Sequence, residues 1–283
     1  MAEILKGAPV VAALNEEMAR EVESLKSIGI VPTLAIVRVG EREDDIAYER
    51  GAMKRCEKVG VEVKQVLLPG DCSEDALIST LQDLNNNSKV HGVLLFRPLP
   101  KYMDGDRVRN TLSPEKDIDG ITDLSLAGVF VGTNTGYAPC TAQACMEIID
   151  YYGIDPNGKK AVVVGRSLVV GKPAAMMLIG KDATVTVCHT RTVDMPAVCR
   201  EGEILIISTG RPKIVDKRHL APGQTVIDVG INILEDGSMC GDVDFDAAEG
   251  IVGAVTPVPG GVGTVTTSVL VKHVVQAAKK VAS

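Results

Sequence analysis

The 283-residue chain has no tryptophan, three phenylalanines and five tyrosines. Its core therefore has to be filled by valine, isoleucine, leucine, alanine and methionine. A basic excess is also missing: 30 Lys+Arg stand against 37 Asp+Glu, for a net charge of -7. This argues against a nucleic-acid partner, because phosphate binding needs a basic footprint. No run approaches the ~20 apolar residues that a membrane span needs. The first twenty residues carry Glu3, Glu16 and Glu17 and lack the basic start and clean apolar middle of a secretory signal. The seven cysteines contain no CxxC pair, which reads as reduced thiols in a cytoplasmic protein without a disulfide framework. Cys140, Cys145 and His189 fit no common zinc spacing, so no metal is expected.

The composition that remains, 45% apolar and 24% charged, is that of an ordinary globular protein. At about 100–200 residues per domain, the length suggests two domains. Short apolar runs at 33–39, 62–68, 90–96, 160–164, 184–188, 203–208 and 225–229 alternate with amphipathic stretches at 14–27, 47–59, 74–85, 142–152 and 173–179. Strands alternating with helices predict an α/β protein with parallel sheets. The runs lack strict alternation, as expected of strands buried on both faces. A closing helix is expected from residue 264, with Thr264, Thr266 or Thr267 as its cap. Loop chemistry in VGTNTGYAPC (131–140) and PVPGGVG (257–263) brackets a segment of domain size.

Within that segment, KKAVVVGRSLVVGKPAAMMLIG joins an apolar strand, a glycine turn and a helix with Pro173 near its start. Gly165 and Gly171 permit close backbone approach, and the helix N-terminus offers free N–H groups to a phosphate. This is a variant of the dinucleotide fingerprint without the full GxGxxG. The next strand ends in His189, Thr190, Arg191 and Thr192, with no acid before Asp194. Hydroxyl and guanidinium groups suit a ribose 2′-phosphate, whereas a carboxylate would repel it. The cofactor expected is NADP in preference to NAD, with Arg166 as a second phosphate contact. Gly210, at a third strand end, continues the same crevice.

Taken in order, PLPKY, EKDIDG, APCTA, GRSLVVGKP, CHTRT, STGRP, VIDVGIN, GDVDFD and TPVPGGVGTVT resemble the bifunctional methylenetetrahydrofolate dehydrogenase / methenyltetrahydrofolate cyclohydrolase family. The resemblance implies a folate-binding catalytic domain of residues 1–140 and 265–283. It also implies a Rossmann-type NADP domain at 141–264, a C-terminal helix returning to the first domain, and a homodimer. Two reactions are implied: oxidation of 5,10-methylenetetrahydrofolate with NADP, then hydrolysis of the methenyl product to 10-formyltetrahydrofolate. Carried over residue by residue, Tyr48 stacks on the substrate and Asp119 grips the pterin N–H groups. Pro257, Val258 and Gly260 line the junction of folate and nicotinamide. Gly165, Arg166, Ser167, Gly171, Thr190, Arg191, Gly210 and Ile231 belong to the cofactor site.

The departures are specific. The family's first catalytic stretch places a lysine four residues after the tyrosine, and here that position is Ala52. At about 100° per residue, position 52 lies about 40° from Tyr48, whereas Lys54 lies about 240° round the helix. Arg55 returns to the Tyr48 face, but a guanidinium stays protonated and makes a poor base. A glutamine two residues before Pro-Leu-Pro becomes Phe96, followed by Arg97, and strand alternation would put Arg97 on the opposite side. Asp44-Asp45 replaces Ala-Ser before the tyrosine, and Ala142, Thr264 and Val265 also depart from the family pattern. Hydride transfer asks mainly for positioning. Hydrolysis needs general acid–base work, for which Ala52 and Phe96 have no group. The expectation is an NADP-dependent dehydrogenase with weak or absent cyclohydrolase activity. Two alternatives are a dehydrogenase of this fold acting on another substrate and a non-catalytic folate and NADP sensor.

Overall fold

The structure, a computed structural model, describes residues 1–282. In chain order its elements begin with β1 (Glu3–Ile4), α1 (Gly7–Ser27), β2 (Thr33–Val39), α2 (Glu43–Val59) and β3 (Glu62–Leu68). Then follow α3 (Glu74–Asn86), β4 (Gly92–Leu95), α4 (Gly105–Arg109), α5 (Asp123–Val131), α6 (Cys140–Tyr151) and β5 (Lys160–Val164). The next are α7 (Gly171–Ile179), β6 (Thr184–Cys188), α8 (Met195–Glu201), β7 (Ile204–Ile207) and β8 (Thr225–Asp228). The chain continues through β9 (Asn232–Ile233), β10 (Met239–Cys240), α9 (Phe245–Glu249) and β11 (Ala254–Val255) to α10 (Val262–Ala282). Contacts divide the chain into two compact units, one of Met1–Ala12 with Thr141–Thr266, the other of Ala13–Cys140 with the chain from Thr267 on.

The second of these units holds a parallel sheet in the order β3-β2-β4. Its middle strand is buried throughout Leu34–Val37. The core is aliphatic, as a chain without tryptophan requires: Val37, Leu77, Leu81, Val93 and Leu95 share one cluster with Met103, Val108 and Leu112. β3 lies at the sheet edge and is half exposed, so two-sided burial holds for the inner strands and fails at the margin. α2 starts with three acids in its first turn, Glu43, Asp44 and Asp45, where the helix dipole favours negative charge. It ends at Gly60, whose positive φ of 81° lets its N–H and that of Val61 close on the last carbonyls. Burial runs down one side of this helix through Asp45, Glu49, Ala52, Cys56 and Val59.

The other unit is built on a six-stranded parallel sheet ordered β1-β11-β8-β7-β5-β6. The sequence reading placed residues 1–140 together, but β1 pairs with β11 through Glu3↔Ala254 and Ile4↔Val255, so residues 1–12 cluster here instead. A two-residue strand with no alternation to read gives no local signal, and only its distant partner defines it. The closing helix is also longer than expected, starting at Val262. Thr264, Thr266 and Thr267 therefore lie inside it and are not caps, and the Thr266 hydroxyl donates back to the Val262 carbonyl. Register brings the carboxyl ends of three strands together. Gly165 N–H donates to the Cys188 carbonyl and Ser208 N–H to that of Val164, each within 2.9 Å. The loops after β5, β6 and β7 consequently gather at one edge, the place where open α/β sheets bind ligands.

Candidate active site

In the three-stranded unit, β4 stops at Leu95. Phe96 lies just beyond it, its N–H still donating to Val37, and its ring meets Tyr48 edge to face at 5.8 Å and 84°. The alternation argument for Arg97 therefore no longer applies, since both residues have left the strand. Arg97 turns its Nη2 to within 4.0 Å of Asp119 Oδ2. Asp119 is half-buried, and desolvation raises its carboxyl to about 6 although the Arg97 cation pulls the other way. Behind it Asp117 is fully buried and fully occupied, accepting from Ile121 N–H, Thr122 N–H and the Ser125 hydroxyl. The Cys140 thiol hydrogen-bonds Asp119 and lies 3.2 Å from the Ile118 carbonyl. Burial, with Cys140 and Asp119 beside it, pushes the Tyr48 phenol up, and Thr267 shares a hydrogen bond with it.

Ala52 is completely buried on the same helix. Lys54 is exposed and borders an outer groove with Arg50, Met53 and Glu57. Arg55 reaches instead to Asn15 Oδ1 at 3.4 Å. Asp44 is exposed and Asp45 buried, both at the start of α2. A buried ion pair, Arg38 Nε to Glu49 Oε2 at 3.0 Å, lies under the helix next to Tyr48, with Gln65 on the other Glu49 oxygen. Only the tertiary fold reveals this pairing, because Arg38 sits in an otherwise apolar strand.

In the six-stranded unit, a cavity of about 430 Å³ is lined by Gly165, Arg166, Ser167, His189, Thr190, Thr192, Thr209 and Arg211, among others. The glycines are required by close backbone approach. Gly165 has a φ of +125°, and a Cβ at Gly171 would lie 2.2 Å from the Gly165 carbonyl oxygen. Ser167 Oγ accepts the Val170 N–H, which holds the loop in front of α7. Four expected cofactor residues thus meet at this cavity: Gly165, Arg166, Ser167 and Thr190. Gly171 supports the loop from behind. Arg191 is exposed outside the lining, its backbone N–H given to His189 Nδ1, while Arg211 lies inside it. Ile231 borders a separate cavity of about 230 Å³ with Asp228, Pro257, Val258 and Gly260.

Asp242, within the GDVDFD segment, was not singled out by spacing. It is fully buried and accepts five hydrogen bonds. Oδ2 takes Thr209 N–H, the Thr209 hydroxyl and Gly210 N–H, and Oδ1 takes Arg211 N–H and Asn232 Nδ2. It anchors the loop that carries Thr209 and Arg211 into the larger cavity. Asp228, raised to about 6 by burial, accepts N–H groups from Gly230, Asp242 and Val243. Among the described residues no group of three or more His, Cys, Asp or Glu could hold a metal. No helix there is long and apolar enough to cross a membrane.

A parallel sheet with a glycine turn and a cavity of about 430 Å³ at its carboxyl edge defines a Rossmann-type nucleotide-binding protein, with a second α/β unit carrying a half-buried carboxylate. The family profile described as "Tetrahydrofolate dehydrogenase/cyclohydrolase, catalytic domain" matches residues 5–119, and that described as "NAD(P)-binding domain" of the same family matches residues 139–282. The chain belongs to the tetrahydrofolate dehydrogenase/cyclohydrolase family. It is 50% identical over 279 residues to the bifunctional protein FolD of Carboxydothermus hydrogenoformans, covering 98% of this chain and 97% of that protein. The solved FolD enzyme of Campylobacter jejuni superposes with a TM-score of 0.96 at 34% identity, with 99% of each chain covered. The Trypanosoma brucei FolD, solved with NADP and an inhibitor, gives 0.92 at 32% identity, covering 99% of this chain and 98% of that one.

Proposed function

We propose that this protein is an NADP-dependent methylenetetrahydrofolate dehydrogenase of one-carbon metabolism, whose hydrolytic step to 10-formyltetrahydrofolate is weak or absent. One observation carries the distinction: the fully buried methyl group of Ala52, with the Phe96 ring packed on Tyr48, stands where hydrolysis needs a base and its polar partner. The cavity residues fit NADP. Gly165, Ser167 and the N-terminus of α7 suit its phosphates, and Arg166 with Thr190 suits the 2′-phosphate. When bound, NADP supplies the ring that accepts a hydride. The folate substrate belongs to the unit of Ala13–Cys140 with the chain from Thr267 on. There the Tyr48 face supports its ring, and the Asp119 carboxylate accepts the ring's paired N–H groups. Pro257, Val258, Gly260 and Ile231 line a cavity within the other unit.

Oxidation of the methylene carbon is assisted by the substrate's own nitrogen lone pair, so the protein's task is to hold that carbon and exclude water. Hydrolysis of the methenyl cation needs a water deprotonated and a nitrogen protonated, which is worth about 10²–10⁴-fold when a side chain supplies it. In this reading the Asp119 carboxylate is committed to the ring edge. Cytoplasmic location, with all seven cysteines as free thiols, and a homodimer, checked by equilibrium sedimentation, complete the proposal.

The test is two assays on the purified protein. NADPH should form from methylenetetrahydrofolate with NADP, and NADH more slowly with NAD. Methenyltetrahydrofolate should hydrolyse no faster than in buffer. Hydrolysis well above buffer would overturn the second half, and absence of NADPH the first. An Ala52→Lys, Phe96→Gln double variant should gain hydrolysis by about 10²-fold, the lower end of the range for a positioned acid–base group.

A further inference from the structure

Arg97 is not accounted for by the assignments above. Its guanidinium carries five N–H donors, yet its one partner among the described residues is Asp119 at 4.0 Å, beyond hydrogen-bond length. Both side chains remain open to a ligand, 36% and 27% exposed. Asp119 accepts only the weak thiol donor of Cys140, so most of its acceptor capacity is also unspent. A carboxylate and a guanidinium therefore stand side by side, each with polar groups directed at no protein partner, against the Tyr48–Phe96 aromatic pair.

The 2-amino-4-oxo edge of a pterin presents, in sequence, an amino donor, a ring N–H donor and a carbonyl acceptor. The complement of that edge is two acceptors followed by a donor. Resting on the folate reading above, we propose that Arg97 is a substrate-contacting, specificity-determining residue that reads this edge jointly with Asp119. The carboxylate takes the two N–H groups and the guanidinium takes the neighbouring carbonyl oxygen.

The groups facing Asp119 support a role for the cation. Asp117 on its own loop adds negative charge, Tyr48 comes from α2 and Cys140 from α6; behind them on α10, Thr267 hydrogen-bonds Tyr48 and His273 Nδ1 lies 2.8 Å from the Ile118 carbonyl. Burial raises the Asp119 carboxyl to about 6 even with Arg97 present. Arg97 is the group among these that opposes the rise by its charge. It thus both donates to the substrate and keeps the carboxylate ionised to accept from it.

Calorimetric titration of the protein with tetrahydrofolate, and with a 2,4-diamino analogue that puts an amino donor where the carbonyl was and removes the proton from the neighbouring ring nitrogen, tests this. Arg97→Leu should weaken tetrahydrofolate binding about 10–100-fold, the range for a hydrogen bond to a charged group. It should change the analogue far less, so that selectivity collapses. In the wild type, tetrahydrofolate affinity should fall as pH drops through about 6. In Arg97→Leu that fall should begin at higher pH, and Arg97→Lys should restore its position. Affinity and selectivity in Arg97→Leu within twofold of wild type, or an unmoved acid limb, would overturn the proposal, as would a wild type that binds no tetrahydrofolate. Selective binding without NADPH formation would sink the dehydrogenase reading and leave this one standing.

Discussion

Replacing Asp242 with asparagine keeps the shape of the side chain and removes half of its accepting capacity. The carboxylate is fully buried and holds five donors, three on Oδ2 and two on Oδ1. An asparagine oxygen placed at Oδ2 turns an NH₂ toward Arg211 N–H and Asn232 Nδ2. The opposite orientation strands the three donors of Thr209 and Gly210. Each buried donor left without a partner costs about 1–3 kcal/mol, so Asp242→Asn should lose about 2–5 kcal/mol in urea unfolding followed by circular dichroism. The released loop carries Thr209 and Arg211 into the larger cavity. NADP affinity, measured by calorimetry, should therefore fall at least about tenfold, equivalent to some 1.4 kcal/mol. Tetrahydrofolate affinity should change less, because Asp119 belongs to the other unit. An unfolding midpoint and NADP affinity both equal to wild type would refute the view that this carboxylate holds the loop.

Asp119 offers a test of sign. Its folded carboxyl is raised to about 6 from 3.8, so between those values the folded protein holds a proton that the unfolded chain has released. Its contribution to stability therefore declines as pH rises through that window. Asp119→Asn should abolish tetrahydrofolate binding yet unfold at pH 7 at an equal or higher urea concentration than wild type, as function-for-stability exchanges do; a lower midpoint would contradict the burial argument. Glu49→Ala leaves Arg38 buried without its carboxylate and should cost about 3–5 kcal/mol. The double variant Arg38→Leu, Glu49→Val should recover most of that loss in the same denaturation measurement. A single-variant loss under about 1 kcal/mol would show that the pair is solvated.

Residues whose chemistry depends on near neighbours in the chain were readable before any coordinates. The glycine turn and helix at 165–173 follow from local backbone freedom, and strand–helix alternation identifies α/β architecture. The displacement of Lys54 from the Tyr48 face follows from helical pitch. What was misread involved partners far apart in sequence. Thr264, Thr266 and Thr267 looked like caps because local composition does not show that the glycine-rich loop ends at Gly261. Arg211 is a further arginine at the cavity, brought there by the loop after β7, which strand-end position does not reveal.

The sequence by itself determined the α/β class, the glycine turn at 165–171 and the identity of the residue one helical turn after Tyr48, because periodicity, glycine placement and residue identity are local properties. Only the tertiary structure decided that β1 joins the sheet of the nucleotide unit, that Asp242 ties down the loop at Arg211, and that Arg97 stands beside Asp119. Each of these joins residues 22 or more positions apart. Such pairings are set by sheet register and by where buried charge finds compensation, and neither leaves a periodic signal in the chain. The scarcity of aromatic residues has the same dependence: a phenylalanine at position 96 is a composition fact, but its ring closing on Tyr48 is a consequence of the fold.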